Sequence, residues 1–439
     1  MKYFAGTLIL TSLLLAACKP IQKSGGLKMQ GTNSKSKQTT TIENSIELKN
    51  ILDQYPVYFN SVLQNPEHRV QIIFTRIERG EKNTVKFTDH YFNVNENEYF
   101  YPASTVKLPV AILALQRLNE LNIPGLDKNT SMNTEESEIA HSLVYNDPTA
   151  ADGRPGIAHY IRKILLVSDN DAFNRLYEFL GQEYINNSLH KMGYTDAQII
   201  HRLEISLTEE QNRFTNAVNF YDTSGQLIYA KPVEISKLKY SDRGAQQSKY
   251  RMGKGFYRLG QLINDPFDFS LKNQLTLKSL HGILRSVIFP ESVAADQRFN
   301  LKEDDYLLLR KYMSMMPAES AFPAYDSVNY WDNYVKFLLY GAEKSATIPG
   351  VRIFNKVGDA YGFLIDAAYI VDFKNGVEFM LSAIIHCNSD GIFNDNKYEY
   401  DSIGFPFMKH LGQVIYQQEL KRDKKQKPDL SEFIFDYIR

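Results

Sequence analysis

The stretch from Tyr101 to Leu115 most constrains the fold, because polar Ser104 and Lys107 stand at the start of an otherwise apolar segment. The continuous apolar run that follows predicts a buried helix over about Leu108–Leu121. Residues three apart share one face of a helix, so the Lys107 amine is expected beside the Ser104 hydroxyl. An amine kept neutral by apolar surroundings can accept the proton of a serine and activate it as a nucleophile. The segment therefore predicts a nucleophilic serine in the first turn of a buried helix.

The Ser-x-x-Lys spacing is weak evidence by itself, because it occurs four times in this chain. The other copies begin at Ser34, Ser188 and Ser236. Only the Ser104 copy opens a long apolar segment, where the unpaired N–H groups of a helix start favour developing negative charge. Whether Ser104 is a nucleophile therefore depends on the other motifs in the sequence.

Two further polar motifs stand where secondary-structure elements begin or end. Ser168-Asp169-Asn170 separates two helical segments, and Lys356-Val357-Gly358 follows the start of an apolar strand. Alone, the first is an ordinary helix cap and the second a charge at a strand end. Together with Ser104-x-x-Lys107, in this order, they resemble the three motifs of the serine β-lactamases and penicillin-binding proteins. The resemblance covers roughly residues 44–205 and 275–420.

Two more matches resemble class A of that superfamily. Arg202-x-Glu204 is similar to the Arg-x-Glu of the class A omega loop, and it follows two helical segments separated by Gly181. The segment from Tyr361-Gly362 to Ile370 is similar to the strand after the third motif. Neither match is required by the spacing of the other motifs, so both strengthen the resemblance.

The resemblance implies a role for each of these residues. Ser104 would be the nucleophile, Lys107 its proton shuttle, and Ser168 the relay to the leaving nitrogen. Glu204 would activate the deacylating water. The substrate-binding residues it implies are Asn170, Lys356, Gly358 and Asp359. The backbone N–H groups of Ser104 and of Asp359 or its neighbour would form the oxyanion hole.

The sequence departs from the family pattern at two positions. Val357 stands where the family usually has Thr or Ser, so a hydroxyl that binds the substrate carboxylate is missing. Thr208 stands where class A usually has an Asn that helps to hold the deacylating water. These departures put the turnover of carboxylated β-lactams in question.

The order of strand-like and helical segments predicts an α+β fold. A helix over about 45–63 precedes strands at 70–77 and 84–93, and strands return at 351–387. The middle of the chain is helical, including a short helix over 331–340. Neither strand-rich part suffices for a stable sheet, so we expect them to pair. The prediction is a β-lactamase/transpeptidase-like fold, with an antiparallel sheet flanked by helices plus an all-helical domain.

The predicted domain organisation follows from these segments and from the polar start of the chain. We predict a signal peptide at 1–17, a flexible lipoprotein tether at 18–43, an α/β domain from 44–100 with 345–439, and a helical domain at 101–344 containing an insertion at about 207–272.

The N-terminus predicts export. The apolar run after Lys2 is too short to span a membrane and is typical of a signal-peptide core. It ends in Leu15-Ala16-Ala17-Cys18, which resembles a bacterial lipobox, although a plain secretory signal is the alternative. We expect an exported bacterial lipoprotein, anchored to a membrane by lipidation of Cys18, in the periplasm or at the cell surface. Cys387 would then be the remaining cysteine, without an intrachain disulfide.

Charge and motif content argue against other classes. Lys plus Arg number 50 and Asp plus Glu 51, so no overall field attracts nucleic acid. The sequence contains no Cys/His cluster of metal spacing and no Gly-rich phosphate loop, so we expect neither a metal nor a cofactor. The expected partner is a small-molecule or peptidoglycan-derived substrate.

Three functions fit these residues. The leading interpretation is a class A β-lactamase-type serine hydrolase with an acyl-serine intermediate. The second is a D-Ala-D-Ala peptidase or esterase of the same fold. The third is a penicillin-binding-like scaffold that turns over little.

Overall fold

The computed structural model describes residues 42–137, 142–239 and 248–437, which all lie in one compact unit spanning residues 39–439. The predicted signal peptide, Cys18 and almost all of the predicted tether lie outside the described residues. Within those described ranges, no helix combines the length and the apolar character that crossing a membrane requires.

Most of the helices follow the apolar periodicity of the sequence, and two departures are described below. In the described ranges the α-helices are α1 (Ile46–Asp53), α2 (Pro56–Leu63), α3 (Lys107–Leu121), α4 (Ile157–Val167), α5 (Asn170–Leu180), α6 (Gln182–Lys191), α7 (Glu209–Arg213), α8 (Leu277–Ile288), α9 (Glu303–Ser314) and α10 (Phe405–Lys421).

Two predicted helices are wrong in detail. The helix expected over 45–63 is divided into α1 and α2, because Pro56 lacks an N–H donor and disfavours helical backbone at Tyr55. The helix expected over 331–340 is a series of turns. There the N–H groups of Phe337 and Leu338 donate to the Asp366 carboxylate at 3.1 and 2.9 Å, so tertiary hydrogen bonds replace the helical ones.

The strands lie mainly near the two ends of the described chain, with short ones between them. They are β1 (Gln71–Arg79), β2 (Val85–Phe92), β3 (Ser131–Thr134), β4 (Phe214–Thr215), β5 (Val218–Tyr221), β6 (Leu227–Lys231), β7 (Glu234–Ile235), β8 (Arg251–Met252), β9 (Gly255–Arg258), β10 (Gln261–Ile263), β11 (Phe267–Asp268), β12 (Val351–Ala360), β13 (Phe363–Asp372), β14 (Val377–His386) and β15 (Ile392–Phe393).

The main sheet joins the early and late strands in the order β12-β13-β14-β1-β2, and every neighbouring pair is antiparallel. Adjacent residues of a strand face opposite sides, so Ile72 and Ile73 enter different cores. Ile72 packs with the residues of α1, α2 and α10, while Ile73 packs with those of α3 and α8. The predicted α+β class, an antiparallel sheet flanked by helices, is confirmed.

Helix α3 is the centre of the larger core. From Leu108 to Leu115 every residue is buried, and the side chains other than Pro109 are at most 1% exposed, because α4, α5 and α6 surround the helix. At roughly 25 cal/mol per Å², burial of these side chains stabilises this part of the fold by several kcal/mol. The first residue of α3, Lys107, is thereby held in protein rather than in water.

The segment from 207 to 272 carries the short strands β4 to β11. Strands β5 and β6 form a hairpin around Asp222, and the Asp222 carboxylate accepts the N–H groups of Ser224 and Gln226 at 2.8 Å each. Farther along, β9 pairs with β10 and also with β15. The segment therefore contributes to the structure beside the C-terminal end of β14.

Candidate active site

Ser104 lies between two cavities that open on either side of it. The Tyr361 cavity, of about 610 Å³, is lined by Tyr101, His201, Glu204, Lys272, Tyr361 and Tyr398, among others. The Trp331 cavity, of about 540 Å³, is lined by Ser168, Trp331, Tyr334, Asp401, Phe405 and Pro406, among others. Ser104, Asn170 and Asp359 line both. The two cavities therefore form one cleft that passes the serine hydroxyl.

The turn that presents Ser104 is fixed by its backbone. Ala103 adopts φ +47°, and the Thr105 hydroxyl and N–H both donate to the Pro102 carbonyl, at 2.6 and 3.1 Å. Gly358 on β12 lies against this turn. A Cβ at Gly358 would stand 2.8 Å from the Pro102 oxygen and 2.9 Å from the Ser104 nitrogen. Only glycine allows the strand to lie this close to the serine.

Lys107 connects three polar residues of the site. Its Nζ lies 2.8 Å from Ser104 Oγ, 2.7 Å from Asn170 Oδ1 and 3.2 Å from Ser168 Oγ, and it also donates to the Ser168 carbonyl. Burial lowers the pKa of this amine to about 7, against the opposing pull of Asp169, Asp359 and Glu204. At neutral pH a substantial fraction of Lys107 is therefore uncharged and able to accept a proton.

Lys356 occupies the other side of Ser168. Its Nζ is 2.8 Å from Ser168 Oγ and 2.8 Å from the Val357 carbonyl. Burial, and then the positive charge of Lys107, hold the pKa of Lys356 well below its ordinary value. Ser168 ends α4 with φ +61°, which turns its side chain between the two lysines. A hydroxyl between two amines is suited to relaying a proton.

Asn170 joins the lysine to Glu204. As the first residue of α5 it accepts from Lys107 through Oδ1 and donates from Nδ2 to Glu204 Oε2 at 2.8 Å. Glu204 is exposed to the cleft and has φ +64°. The amide therefore sets the position of this carboxylate relative to Ser104.

Two residues that the sequence analysis missed hold the backbone next to Glu204. Asn174 forms hydrogen bonds of 2.9 Å with both the N–H and the C=O of Leu203. Glu178 binds buried Arg202 at 2.6 Å and accepts the Asn216 N–H at 2.8 Å. Asn170, Asn174 and Glu178 are spaced four apart on one face of α5. Their polar side chains at helical spacing, in line with Asn170, are the signal that could have identified them.

The two departures from the family pattern differ in their surroundings. Val357 is 2% exposed, packs in the core on the α10 side of the sheet and touches the Trp331 cavity. Thr208 caps α7, where its hydroxyl accepts the Gln211 N–H at 3.2 Å. Its position is therefore explained by helix capping rather than by contact with Ser104.

Asp359 follows Gly358 and faces the cleft. Its side chain is accessible from the cavities, but protein surrounds the carboxyl, and this loss of hydration raises its pKa against the opposing charges of Lys356 and Lys107. The eight predicted site residues other than Cys18 all meet around Ser104. No group of three or more His, Cys, Asp or Glu side chains in the described ranges is arranged to hold a metal ion.

The first half of the described chain matches a known family. Residues 58–237, which include Ser104, Ser168 and Glu204, match the model of the β-lactamase enzyme family. The resemblance to the serine β-lactamase and penicillin-binding protein superfamily is confirmed. No curated protein matches the chain by sequence.

Solved structures similar to this chain include β-lactamases and PBP-A. The β-lactamase from Desulfarculus baarsii DSM 2075 is 13% identical with a TM-score of 0.47, covering 84% of this chain and 99% of that one. The class A β-lactamase from Clostridium kluyveri DSM 555 is 13% identical with a TM-score of 0.44, covering 83% of this chain and 98% of that one. A PBP-A variant in an acyl-enzyme complex with penicillin G is 15% identical with a TM-score of 0.45, covering 84% of this chain and 96% of that one.

Proposed function

We propose that this protein is a serine hydrolase of class A β-lactamase type, which cleaves β-lactam or related amide bonds through an acyl-Ser104 intermediate. The observation that carries the proposal is the contact of the buried Lys107 amine with Ser104 Oγ at 2.8 Å. With a pKa of about 7, that amine is a competent base at neutral pH.

Acylation begins when Ser104 Oγ attacks the acyl carbon and its proton passes to neutral Lys107. The negative charge that develops on the acyl oxygen is stabilised by the backbone N–H groups of Ser104 and Asp359, worth roughly 3 to 4 kcal/mol in other acyl-transfer enzymes. Ser168 then delivers its hydroxyl proton to the leaving nitrogen as the C–N bond breaks, and takes in turn the proton held by Lys107, whose Nζ lies 3.2 Å from Ser168 Oγ. The products of this half-reaction are the acyl-enzyme and a free amine.

Deacylation consumes one water molecule. Glu204 takes a proton from the water as the water oxygen attacks the acyl carbon, and that proton returns from Glu204 to Ser104 Oγ as the ester bond breaks, so Glu204 ends as a carboxylate. The net reaction is an amide plus water giving a carboxylic acid and an amine. The hydrogen bond from Asn170 to Glu204 keeps the carboxylate on the Ser104 side of the cleft.

A D-Ala-D-Ala peptidase or an esterase is the second candidate, and a scaffold of low turnover the third. The buried valine at position 357 and the Asp359 carboxylate favour esters without a carboxylate next to β12 over D-Ala-D-Ala peptides and penicillins, which both carry one. The same acylation chemistry serves all the enzymatic candidates, so they differ in substrate and in the fate of the acyl-enzyme.

Mass spectrometry after exposure to a penicillin tests the proposal. A transient adduct on Ser104 supports a hydrolase, and a long-lived one supports a penicillin-binding role. If no adduct forms with penicillin or with an activated ester such as phenyl acetate, the proposed acyl-Ser104 chemistry is wrong.

Acylation should depend on the protonation of Lys107. Below pH 7 the amine binds a proton and cannot accept that of Ser104, so the acylation rate should fall about tenfold per pH unit and level off above pH 7. Stopped-flow measurement of adduct formation between pH 5 and 9 checks this. The control is Lys107→Arg, whose guanidinium stays charged throughout and should give no plateau. A flat profile for the wild type would contradict the role of Lys107.

Carboxylated β-lactams should be poor substrates. A substrate carboxylate about 5 Å from Asp359 is repelled by about 3 kcal/mol at an effective dielectric near 20, and by less where solvent screens the pair. Combining Val357→Thr with Asp359→Ser should therefore raise kcat/KM for a penicillin by roughly tenfold to a hundredfold. The Asp53→Asn change on α1 removes an equivalent charge outside the cleft and serves as the control. Efficient turnover by the wild type would contradict the argument.

We also propose that the protein is an exported lipoprotein anchored through Cys18. Labelling of cells with a fatty-acid analogue, compared between the wild type and Cys18→Ser, tests this directly.

A further inference from the structure

Two of the three proton-handling residues of the proposed mechanism, Ser168 and Glu204, line different cavities beside Ser104. Ser168 lines the Trp331 cavity and is absent from the walls of the Tyr361 cavity, whereas Glu204 lines the Tyr361 cavity alone. If the proposed function holds, the departing atom takes its proton from Ser168 and must therefore lie on the Ser168 side. The group that leaves then extends into the Trp331 cavity, and the acyl group into the Tyr361 cavity.

The walls of the Trp331 cavity are aromatic and rigidly held. The Trp331 indole N–H donates to the Ala342 carbonyl at 2.7 Å, and the Tyr334 ring stands edge-on to the indole with centroids 5.0 Å apart. Phe405, held edge-on against Phe337 at 5.0 Å, completes this part of the wall. A volume of about 540 Å³ is within the range that accepts a ring-sized group.

The charged side chains that line the Trp331 cavity directly are acidic, and the Lys107 and Lys356 amines stand behind Ser168 at the end of the cavity next to Ser104. Asp359, Asp401 and Glu343 line the cavity, and among the described residues that line it there is no Lys or Arg. Glu343 is bound to Lys409 at 2.7 Å, but Asp401 is exposed and has no ion pair within the described ranges. The Trp331 ring already carries one cation, because the Lys344 amine lies 4.8 Å from its centroid. Such a cavity favours aromatic and cationic groups over anions.

We propose that the Trp331 cavity binds the leaving group of the substrate, and that Trp331 and Asp401 select an aromatic or cationic amine or alcohol over one that bears a carboxylate. The assignment of the cavity to the leaving group rests on the proposed function. The preference of the cavity for aromatic or cationic ligands does not. The two parts are therefore tested separately.

Fluorescence tests the binding preference without any turnover, because Trp331 is the only tryptophan in the sequence. In Ser104→Ala protein, phenyltrimethylammonium should change the tryptophan emission in a saturable way, and benzoate should bind at least tenfold more weakly. Asp401→Asn should weaken binding of the cation about fivefold, as expected for one partly screened charge. The matched control, Asp53→Asn, should leave both affinities unchanged. Equal affinities for the two probes would overturn the preference.

Kinetics test the assignment to the leaving group. Phenyl, 4-(trimethylammonio)phenyl and 4-carboxyphenyl acetate give one common acetyl-Ser104, so only acylation can distinguish them. After division by the hydroxide-catalysed rate of each ester, kcat/KM should be at least tenfold higher for the cationic ester than for the carboxylate. Asp401→Asn should reduce that ratio about fivefold, while deacylation stays the same for all three.

The outcomes separate the two proposals. If all three esters acetylate Ser104 at rates that do not depend on the charge of the leaving group, the assignment of the Trp331 cavity is wrong and the proposed function stands. If no ester acetylates Ser104 although phenyltrimethylammonium binds, the proposed function is wrong and the binding site stands. Trp331→Ala should lose the preference for aryl over methyl acetate. If that variant does not fold, Trp331→Phe tests the role of the ring, because it should keep the preference.

Discussion

Ser104→Ala is expected to abolish adduct formation and to lower kcat by about a million-fold, because no other group can form the acyl-enzyme. The fold should be retained. Lys107 keeps Asn170 and Ser168 as partners, so removal of the hydroxyl leaves no buried amine without hydrogen bonds. The change also opens almost no cavity, and we expect the free energy of unfolding to stay within about 1 kcal/mol of wild type. Intact-protein mass spectrometry and denaturant titration measure the two quantities.

The chain supplies its own control for this experiment. Ser188 and Lys191 lie on α6 with the same Ser-x-x-Lys spacing, but neither lines the cleft beside Ser104. Ser188→Ala should acylate at the wild-type rate. Labelling of Ser104→Ala equal to that of the wild type would contradict the assignment of the nucleophile.

Glu204→Gln is expected to acylate normally and then to stall. Glutamine keeps an oxygen that can accept from Asn170 Nδ2, so the geometry of the loop is preserved while the base is lost. Loss of a general base reduces the rate by about 10² to 10⁴, and the whole effect should fall on deacylation. The adduct on Ser104 should therefore persist over time courses in which wild-type adduct disappears.

The neighbouring Glu209 provides the comparison for Glu204. It is in the first turn of α7, close in sequence, and does not line either cavity. Glu209→Gln should clear its adduct at the wild-type rate. If the Glu204→Gln adduct clears equally fast, another group activates the water.

The parts of the site that local sequence determines were predictable. Ser104 and Ser168 each mark the boundary of an element whose apolar pattern is clear, and Lys356 lies within the apolar strand β12, so topology brings the three together. The contacts of Asn174 and Glu178 were not predictable, because their partners are backbone groups of a loop whose path depends on the folded protein.

The same reasoning explains the failure at Trp331. The segment 331–340 has a helical apolar pattern, yet its backbone donates to Asp366 and its Lys336 amine donates to the carbonyls of Met313 and Ile353 at 2.7 and 2.9 Å. These partners lie on other elements, so the local apolar pattern of 331–340 does not indicate them. A cavity built from such turns could be found only in three dimensions.

Left-handed backbone at non-glycine residues recurs around the cleft, and it has an evolutionary consequence. Ala103, Ser168, Glu204 and Tyr361 all line it with φ between +47° and +64°. Each such residue is disfavoured relative to glycine by about 1 kcal/mol. A lineage selected only for heat resistance would drift toward glycine at these four positions, and would lose the Ser168 hydroxyl and the Glu204 carboxylate in doing so. If descendants keep these side chains, selection has acted on the chemistry of the site rather than on thermal stability.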